Sequence, residues 1–286
     1  KTLGTAFLLA PSMRLNPRII VFDKDQGFEM PIRALGGDYM SVKMGVETGF
    51  NPFEAESDER GAAWLTDWLE AILRPKDGEL SPVQIEALAK AARDNAKAAK
   101  NLQTIGHFRS QLRAVDDSKD LHTRLGRWDK GGQFEWLFNG QGKDSLNFEN
   151  DIVGFDLSEI FDNDDVRTAW LSYVFRRIER MVEDERPTLL VMDEAWKLLD
   201  DPYFQTRLKD WMLTMRKKNV AVILLTQRVS HISESAAGGA IIESVVTRLI
   251  YPSNRNTAQE LGPLNLTDRE RDFLMQSNVG HRLALM

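Results

Sequence analysis

The stretch Arg186–Trp196, RPTLLVMDEAW, decides the fold of this 286-residue chain. An apolar run ends there in Asp193 and Glu194, and a run that is apolar at nearly every position is typical of a strand buried on both faces of a parallel sheet. At such a strand tip, one carboxylate can orient the water shell of a metal ion and the next can activate a water molecule. The alternative is an acidic pair that ends a strand and caps the following helix.

Similar apolar runs recur along the chain and alternate with helical patterns. Helix starts are marked by Pro202 after an aspartate, by the capping boxes SPVQ (81–84) and TDRE (267–270), and by the carboxylates of DNDD (162–165). This alternation predicts an α/β fold with a doubly wound, mostly parallel sheet flanked by helices. We predict strands at 18–23, 152–157, 188–194, 220–226, 248–252 and 281–286.

One segment departs from this alternation. Residues 76–130 contain no strand pattern, which predicts an all-α insertion in an α/β domain formed by 1–75 and 131–286. Residues 90–130 hold ten Lys and Arg against five Asp and Glu, a net charge of +5. Because the net charge of the whole chain is −6, the remaining residues together carry −11. This basic segment is consistent with a nucleic-acid surface, a partner surface or solvated helix faces, and the lack of an aromatic ladder favours the last.

Composition excludes several other classes of protein. The chain has no cysteine, and its four histidines show no ligand spacing, so neither a disulfide framework nor a structural metal site is expected. No apolar run approaches the ~20 residues that a membrane-spanning helix requires. With 42% hydrophobic residues, the chain has ample material for a core.

The strand after the acidic pair also ends in polar residues. VAVILLT (220–226) is followed by Gln227, and a 26-residue helical crossover, 194–219, separates it from Glu194. In a parallel sheet this order brings both strand tips to one edge. Gln227 would lie there near a terminal phosphate, where an amide can sense the phosphate and position water. Alone, the glutamine is equally a loop residue.

The first residues, KTLGTAFLLA (1–10), fit the end of a phosphate-binding loop of the form G-x-x-x-x-G-K-[ST] and the helix that follows it. Lys1 would reach the β- and γ-phosphates, and the Thr2 hydroxyl would bind Mg²⁺. The glycines that cradle the phosphates are not part of the sequence, so we expect that the chain begins inside the loop and binds ATP poorly by itself. The alternative is an ordinary frayed start.

Several longer stretches together resemble the C-terminal ATPase domain of the type IV secretion ATPases of the VirB/TrbE/CagE class, and in particular its fourth VirB component. The resemblance covers 1–53 and roughly 150–286, and is weaker in 54–149. The stretches that carry it are IIVFDKDQGFEMPIRALGGDYMSV, TGFNPF, LLVMDEAWKLL, MRKKNVAVILLTQ and IIESVVTRLIYPSN.

This resemblance implies a RecA-like P-loop ATPase that uses ATP and Mg²⁺. It assigns the phosphate and Mg²⁺ roles to Lys1 and Thr2, the metal and general-base roles to Asp193 and Glu194, and the sensor role to Gln227. It also implies a motor at the cytoplasmic face of the bacterial inner membrane, often hexameric, whose partners are inner-membrane subunits and a second ATPase. Such a motor energises substrate transfer and pilus assembly.

Motors of this kind also use an arginine finger from a neighbouring subunit. Arg216, which precedes the glutamine strand, is our first candidate, with Arg228, Arg248 and Arg255 as alternatives, and each of them is also consistent with a surface ion pair. The turn 23–25, Asp-Lys-Asp, is either a contact to nucleotide or to a neighbouring subunit, or only a polar turn. Two other functions stay open: a DNA-pumping translocase of the conjugative coupling or HerA/FtsK type, and a non-catalytic assembly module.

Overall fold

The computed structural model describes residues 2–75, 77–112, 119–194, 202–253, 257–277 and 284–286. Five strands form one sheet in these ranges: β1 (Arg18–Asp23), β2 (Asp38–Ser41), β3 (Ile152–Asp156), β4 (Thr188–Met192) and β5 (Val220–Leu224). They lie in the order β2-β3-β1-β4-β5. Because β1 neighbours β4, which follows it much later in the chain, the sheet is built by crossover connections, as in other α/β folds.

The central strands are parallel and in close register. Phe22 of β1 is opposite Met192 of β4, and Met192 is opposite Leu224 of β5. The ladder continues past the strand ends, since the Asp193 N–H donates to the Phe22 carbonyl at 2.8 Å and the Leu225 N–H donates to the Met192 carbonyl at 3.0 Å. The carboxyl ends of β1, β4 and β5 therefore meet at one edge.

Four of the six predicted strands are confirmed, each ending within two residues of its predicted bounds. The predicted strands at 248–252 and 281–286 are reduced to a single antiparallel bridge between Ile250 and Leu285, and 281–283 lie outside the described residues. β2 was not predicted. It has only four residues, and only Tyr39 among them is buried, so no apolar run marks it.

The helices follow the predicted capping signals. Both capping boxes form, at Ser81 with Gln84 and at Thr267 with Glu270. The α-helices are α1 (Thr2–Ser12), α2 (Glu29–Ala34), α3 (Pro52–Ala55), α4 (Glu59–Leu73), α5 (Pro82–Lys97), α6 (Ile105–Gln111), α7 (Lys119–Leu125), α8 (Asp164–Met181), α9 (Pro202–Thr214), α10 (Ser230–Ser233), α11 (Gly238–Ser244), α12 (Ala258–Leu261) and α13 (Asp268–Gln276). Within the described ranges, none of these helices is both long and apolar enough to cross a membrane.

The chain divides into two compact units. The first consists of 1–39, 151–155 and 182–286, and the second of 40–150 and 156–181. The second unit contains the predicted helical insertion 76–130, whose described residues hold only helices and turns, but it also includes 40–75 and 131–150. The insertion as a separate domain, with the bounds 76 and 130, stays a prediction.

In the first unit, one apolar cluster joins α1 to one face of the sheet. Leu9 of α1 packs with Ile19 and Val21 of β1 and with Val191 of β4. The alternating side chains of β1 and β4 therefore point toward α1 at these positions. The same alternation determines which side chains at the ends of β1 and β4 point toward α1.

The second unit is built on aromatic side chains and on buried carboxylates, of which Glu56 is the most completely buried. Trp64 and Trp68 stack with ring centroids 5.5 Å apart, and both are buried in the core. Glu56 is completely buried, and it accepts hydrogen bonds from Arg176 at 2.9 Å and from Arg180 at 2.8 Å. The ion cluster thereby joins the start of α4 to α8.

Replacing Glu56 with alanine is expected to lower the free energy of unfolding by about 3–5 kcal/mol, because two largely buried guanidinium groups lose their shared partner. Urea unfolding of the chain measures this difference. Glu59→Ala removes an exposed carboxylate from the same helix start, and we expect it to change the unfolding free energy by less than about 0.5 kcal/mol. A loss below about 1 kcal/mol for Glu56→Ala would show that the cluster is not structural.

Candidate functional site

The carboxyl edge of the central strands gathers two buried aspartates. Asp23 ends β1 and Asp193 follows β4, and the strand register places them opposite each other. Alternation from Val21 and Val191 puts both carboxylates on the face that α1 covers. Asp23 is fully buried and Asp193 is 4% exposed. Two acidic side chains therefore lie together at the sheet edge beside α1.

The first turn of α1 begins at the same edge. A Cβ on Gly27, in the loop after β1, would lie 3.4 Å from the Thr2 hydroxyl oxygen, so Thr2 contacts that loop. A Cβ on Gly4 would lie 2.6 Å from the Tyr251 hydroxyl, so a larger residue there would displace the Tyr251 side chain. The helix N-terminus carries a partial positive charge and free N–H groups, which suit an anion. Lys1, the other predicted phosphate ligand, lies outside the described residues.

Asp23 is held by two donors. Its Oδ2 atom accepts hydrogen bonds from the Phe28 N–H at 2.7 Å and from the Tyr39 hydroxyl at 2.8 Å. Burial raises the pKa of Asp23 above its ordinary value, these hydrogen bonds oppose the rise, and the nearby charge of Asp193 adds to it. The Oδ1 atom is buried and has no hydrogen-bond partner among the described residues.

Glu194 directly follows Asp193 and has a left-handed backbone conformation. Its φ angle is 51°, in the left-handed region, which costs a non-glycine residue of order 1–3 kcal/mol. The side chain is 3% exposed, and its Oε1 atom accepts a hydrogen bond of 2.7 Å from Nε2 of Gln227. The structure thus brings Glu194 and Gln227 together at one strand edge, as the order of the two strands predicted.

The loop that carries Gln227 is itself fixed. Thr226 Oγ1 donates to the Arg228 carbonyl at 2.8 Å and accepts from the Arg228 N–H at 3.3 Å. Glu260 of α12 accepts from both the N–H and the hydroxyl of Ser230, each at 3.0 Å. Gln227 therefore projects from a short loop that is tied on both sides.

The four arginine-finger candidates lie in different surroundings. Arg216 is exposed and precedes β5, so the length of that strand separates it from Gln227 and Glu194. A finger at Arg216 could therefore act only on another subunit.

The three alternative candidates differ from one another. Arg228 lies beside Gln227, with its guanidinium 3.4 Å from Glu260. Arg248 donates to the carbonyls of Ile242 and Leu264, which is a structural role. Arg255 lies outside the described residues.

Two further turns are held by polar contacts. Lys24 and the exposed Asp25 form an ion pair at 3.3 Å, and a contact of the turn 23–25 with nucleotide or with a neighbouring subunit stays a prediction. Asn51 caps α3 and donates to the Gln103 and Gly142 carbonyls, so it has a structural role in the turn at 51–53. Sequence analysis missed Tyr39 and Glu260, because no spacing pattern links either residue to the strand tips that they support.

The side-chain oxygen atoms at this edge suit a magnesium ion. Mg²⁺ prefers oxygen ligands, keeps several waters, and is usually bound through one or two protein groups together with substrate phosphates. The Thr2 hydroxyl and the Asp193 carboxylate are such groups, and the buried Oδ1 atom of Asp23 offers a further oxygen beside them. The residues present therefore fit Mg²⁺.

Comparison with known proteins agrees with this fold. The solved structure of VirB4 of Thermoanaerobacter pseudethanolicus shares the fold, with a TM-score of 0.70 and 20% identity over 98% of this chain and 82% of that chain. The type IV secretion system protein virB4 of Bartonella henselae is 33% identical over 287 residues, and PtlC of Bordetella pertussis is 32% identical over 276. These alignments cover 98% and 93% of this chain.

The chain spans about one third of the length of these curated relatives, 35% of virB4 and 33% of PtlC. The resemblance to the VirB class and the RecA-like α/β fold are thereby confirmed. The model of the TraG P-loop domain family matches residues 1–282, so it includes α1, the acidic strand and the glutamine strand. The chain belongs to the TraG P-loop domain family.

Proposed function

We propose that this chain is the ATP-hydrolysing domain of a longer motor subunit of a bacterial type IV secretion system. The observation that carries the proposal is the hydrogen bond between Gln227 and Glu194 beside the buried Asp193, at the edge where α1 begins. Family membership supports a nucleotide site, and the similarity to virB4 and PtlC supports a secretion system.

Each residue has a defined part in the proposed reaction. The N–H groups at the start of α1 and the Lys1 ammonium bind the phosphates of ATP, and the Thr2 hydroxyl and Asp193 hold Mg²⁺ and its waters. Bound Mg²⁺ neutralises charge that develops on the phosphates. Asp193 can hold a fixed position because its N–H continues the β1–β4 ladder.

The Glu194 carboxylate is the proposed general base. It takes a proton from a water molecule while the oxygen of that water bonds to the γ-phosphorus and ADP leaves. The left-handed backbone at Glu194 ends the extended conformation of β4, and the hydrogen bond from Gln227 holds the Glu194 side chain at the strand tip. Because the Gln227 amide already reaches Glu194, it lies within reach of a water molecule held between Glu194 and the phosphate.

The proposal also covers the location, the assembly and the partners of the motor. We place the subunit at the cytoplasmic face of the inner membrane, in a homo-oligomer that we expect to be a hexamer, with inner-membrane subunits and a second ATPase as partners. ATP hydrolysis there would energise conjugation, pilus assembly and substrate transfer. If Arg216 is the arginine finger, it acts on a neighbouring subunit, because the length of β5 separates it from its own Glu194.

Steady-state phosphate release by the full-length protein, with the complete phosphate-binding loop, tests this function. We expect Mg²⁺-dependent hydrolysis that duplex DNA does not stimulate. Hydrolysis that DNA strongly stimulates, with a steep dependence on salt, would favour the DNA-pumping translocase instead. Nucleotide binding without any hydrolysis would favour a non-catalytic assembly module.

A further inference from the structure

Glu260 connects the C-terminal helices to the loop that carries Gln227. Its side chain is only 9% exposed, although it lies on the short helix α12, and it accepts two hydrogen bonds of 3.0 Å from Ser230. Thr257 caps the same helix by accepting from the Glu260 N–H at 3.1 Å, which fixes the backbone of Glu260. Glu260 is thus a half-buried acceptor held in one position.

Arg228, which directly follows Gln227, also contacts Glu260. Its guanidinium lies 3.4 Å from Glu260, and its backbone exchanges two hydrogen bonds with the Thr226 hydroxyl. Burial alone would raise the pKa of Glu260, but the donors on Ser230 and Arg228 hold the pKa below its ordinary value. The carboxylate therefore stays ionised near neutral pH and keeps its contacts with Arg228 and Ser230, which follow Gln227 in the loop.

The surroundings of Glu260 leave space for the loop to move once this connection is lost. Arg228 and Glu260 line a cavity of about 630 Å³, which residues of α10, α11 and α12 also line. Glu243 lines the same cavity and is exposed. Val229 of the same loop packs against the apolar cluster of Leu261, Leu264 and Leu274, so loss of Glu260 should shift the loop without unfolding it.

We propose that Glu260 is a positioning residue for Gln227, and that it holds the loop 226–230 in the conformation in which the Gln227 amide reaches Glu194. This inference rests on the proposed function, because it assigns to Glu260 an effect on hydrolysis that acts through Gln227. Removal of Glu260 should slow hydrolysis and leave nucleotide affinity unchanged, since Glu260 touches neither the phosphate edge of α1 nor Asp193.

A double-mutant cycle in the full-length protein tests the proposal. Gln227→Ala, Glu260→Ala and the double variant are compared with the unsubstituted protein by kcat, KM for ATP and MgADP affinity. We expect kcat to fall at least ~10-fold in each single variant and the double variant to match Gln227→Ala within about twofold, with KM and MgADP affinity unchanged. Glu260→Gln, which still accepts from Ser230, should recover part of the rate.

The matched control is Glu243→Ala, which removes a carboxylate from the same cavity and should leave kcat unchanged. The positioning role would be wrong if the falls in kcat of the two single variants multiplied in the double variant. It would also be wrong if Glu260→Ala left kcat unchanged. If Glu260→Ala does not fold, the cycle is run with Glu260→Gln and the same criterion applies. An unchanged kcat in Gln227→Ala alone would instead contradict the proposed function, so the two failures can be distinguished.

Discussion

Replacing Glu194 with glutamine should lower kcat for ATP hydrolysis at least ~100-fold, because general-base catalysis contributes typically 10²–10⁴-fold and glutamine cannot accept the proton. The side chain keeps its size and an oxygen that can still accept the hydrogen bond from Gln227. We therefore expect MgADP affinity and the unfolding midpoint of the variant to match those of the unsubstituted full-length protein. Phosphate release and calorimetric titration with MgADP measure the two quantities.

Glu234→Gln provides a matched control for this substitution. Glu234 belongs to the same compact unit, follows α10 and is exposed, so its amide variant should hydrolyse ATP normally. If Glu194→Gln kept more than about a tenth of the rate, Glu194 would not be the base. The left-handed backbone at Glu194 would then need another explanation, such as a tight turn before the following segment.

Arg216→Ala is expected to reduce hydrolysis by 10³-fold or more, the range of ~10³–10⁵ that an arginine finger contributes. The structure places Arg216 at the start of β5, whereas Gln227 and Glu194 lie at the far end of that strand. The effect must therefore arise between subunits. Lys217→Ala removes a neighbouring exposed cation and should have little effect on the rate.

Mixing the two inactive variants separates a finger acting between subunits from a purely local effect. In an equal mixture of Glu194→Gln and Arg216→Ala subunits, roughly one interface in four pairs an intact Glu194 with an intact Arg216. Hydrolysis should recover to about that fraction of the unsubstituted rate. A mixture that stays inactive, while both variants assemble normally, would exclude Arg216 as the finger and leave Arg228 as the described candidate nearest the site.

The sequence predicted the central strands and their polar tips for a physical reason. β1 and β4 are nearly continuous apolar runs because both of their faces are buried, and such runs are visible without any structure. β5 shows the same apolar run, although only Val220 in it is buried. In a parallel sheet, the residues that follow such strands must meet at one edge. Asp193, Glu194 and Gln227 could therefore be grouped before their contacts were known.

The supporting contacts could not be predicted in the same way. Tyr39 reaches Asp23 only because β2 joins the sheet, and β2 is short and mostly not buried. Glu260 reaches Ser230 across 30 positions of the chain, through a turn of helix that has no apolar periodicity of its own. Such contacts depend on tertiary placement and leave no local pattern.

A structure of the full-length protein with Mg²⁺ and a non-hydrolysable ATP analogue would test both ATP binding at the start of α1 and hydrolysis by Glu194. We expect Mg²⁺ at the Thr2 hydroxyl, the γ-phosphate within about 3 Å of the Gln227 amide, and a water molecule between that phosphate and Glu194. An analogue bound elsewhere, or a Glu194 carboxylate with no water in line with the phosphate, would show that the proposed site does not hydrolyse ATP in this way.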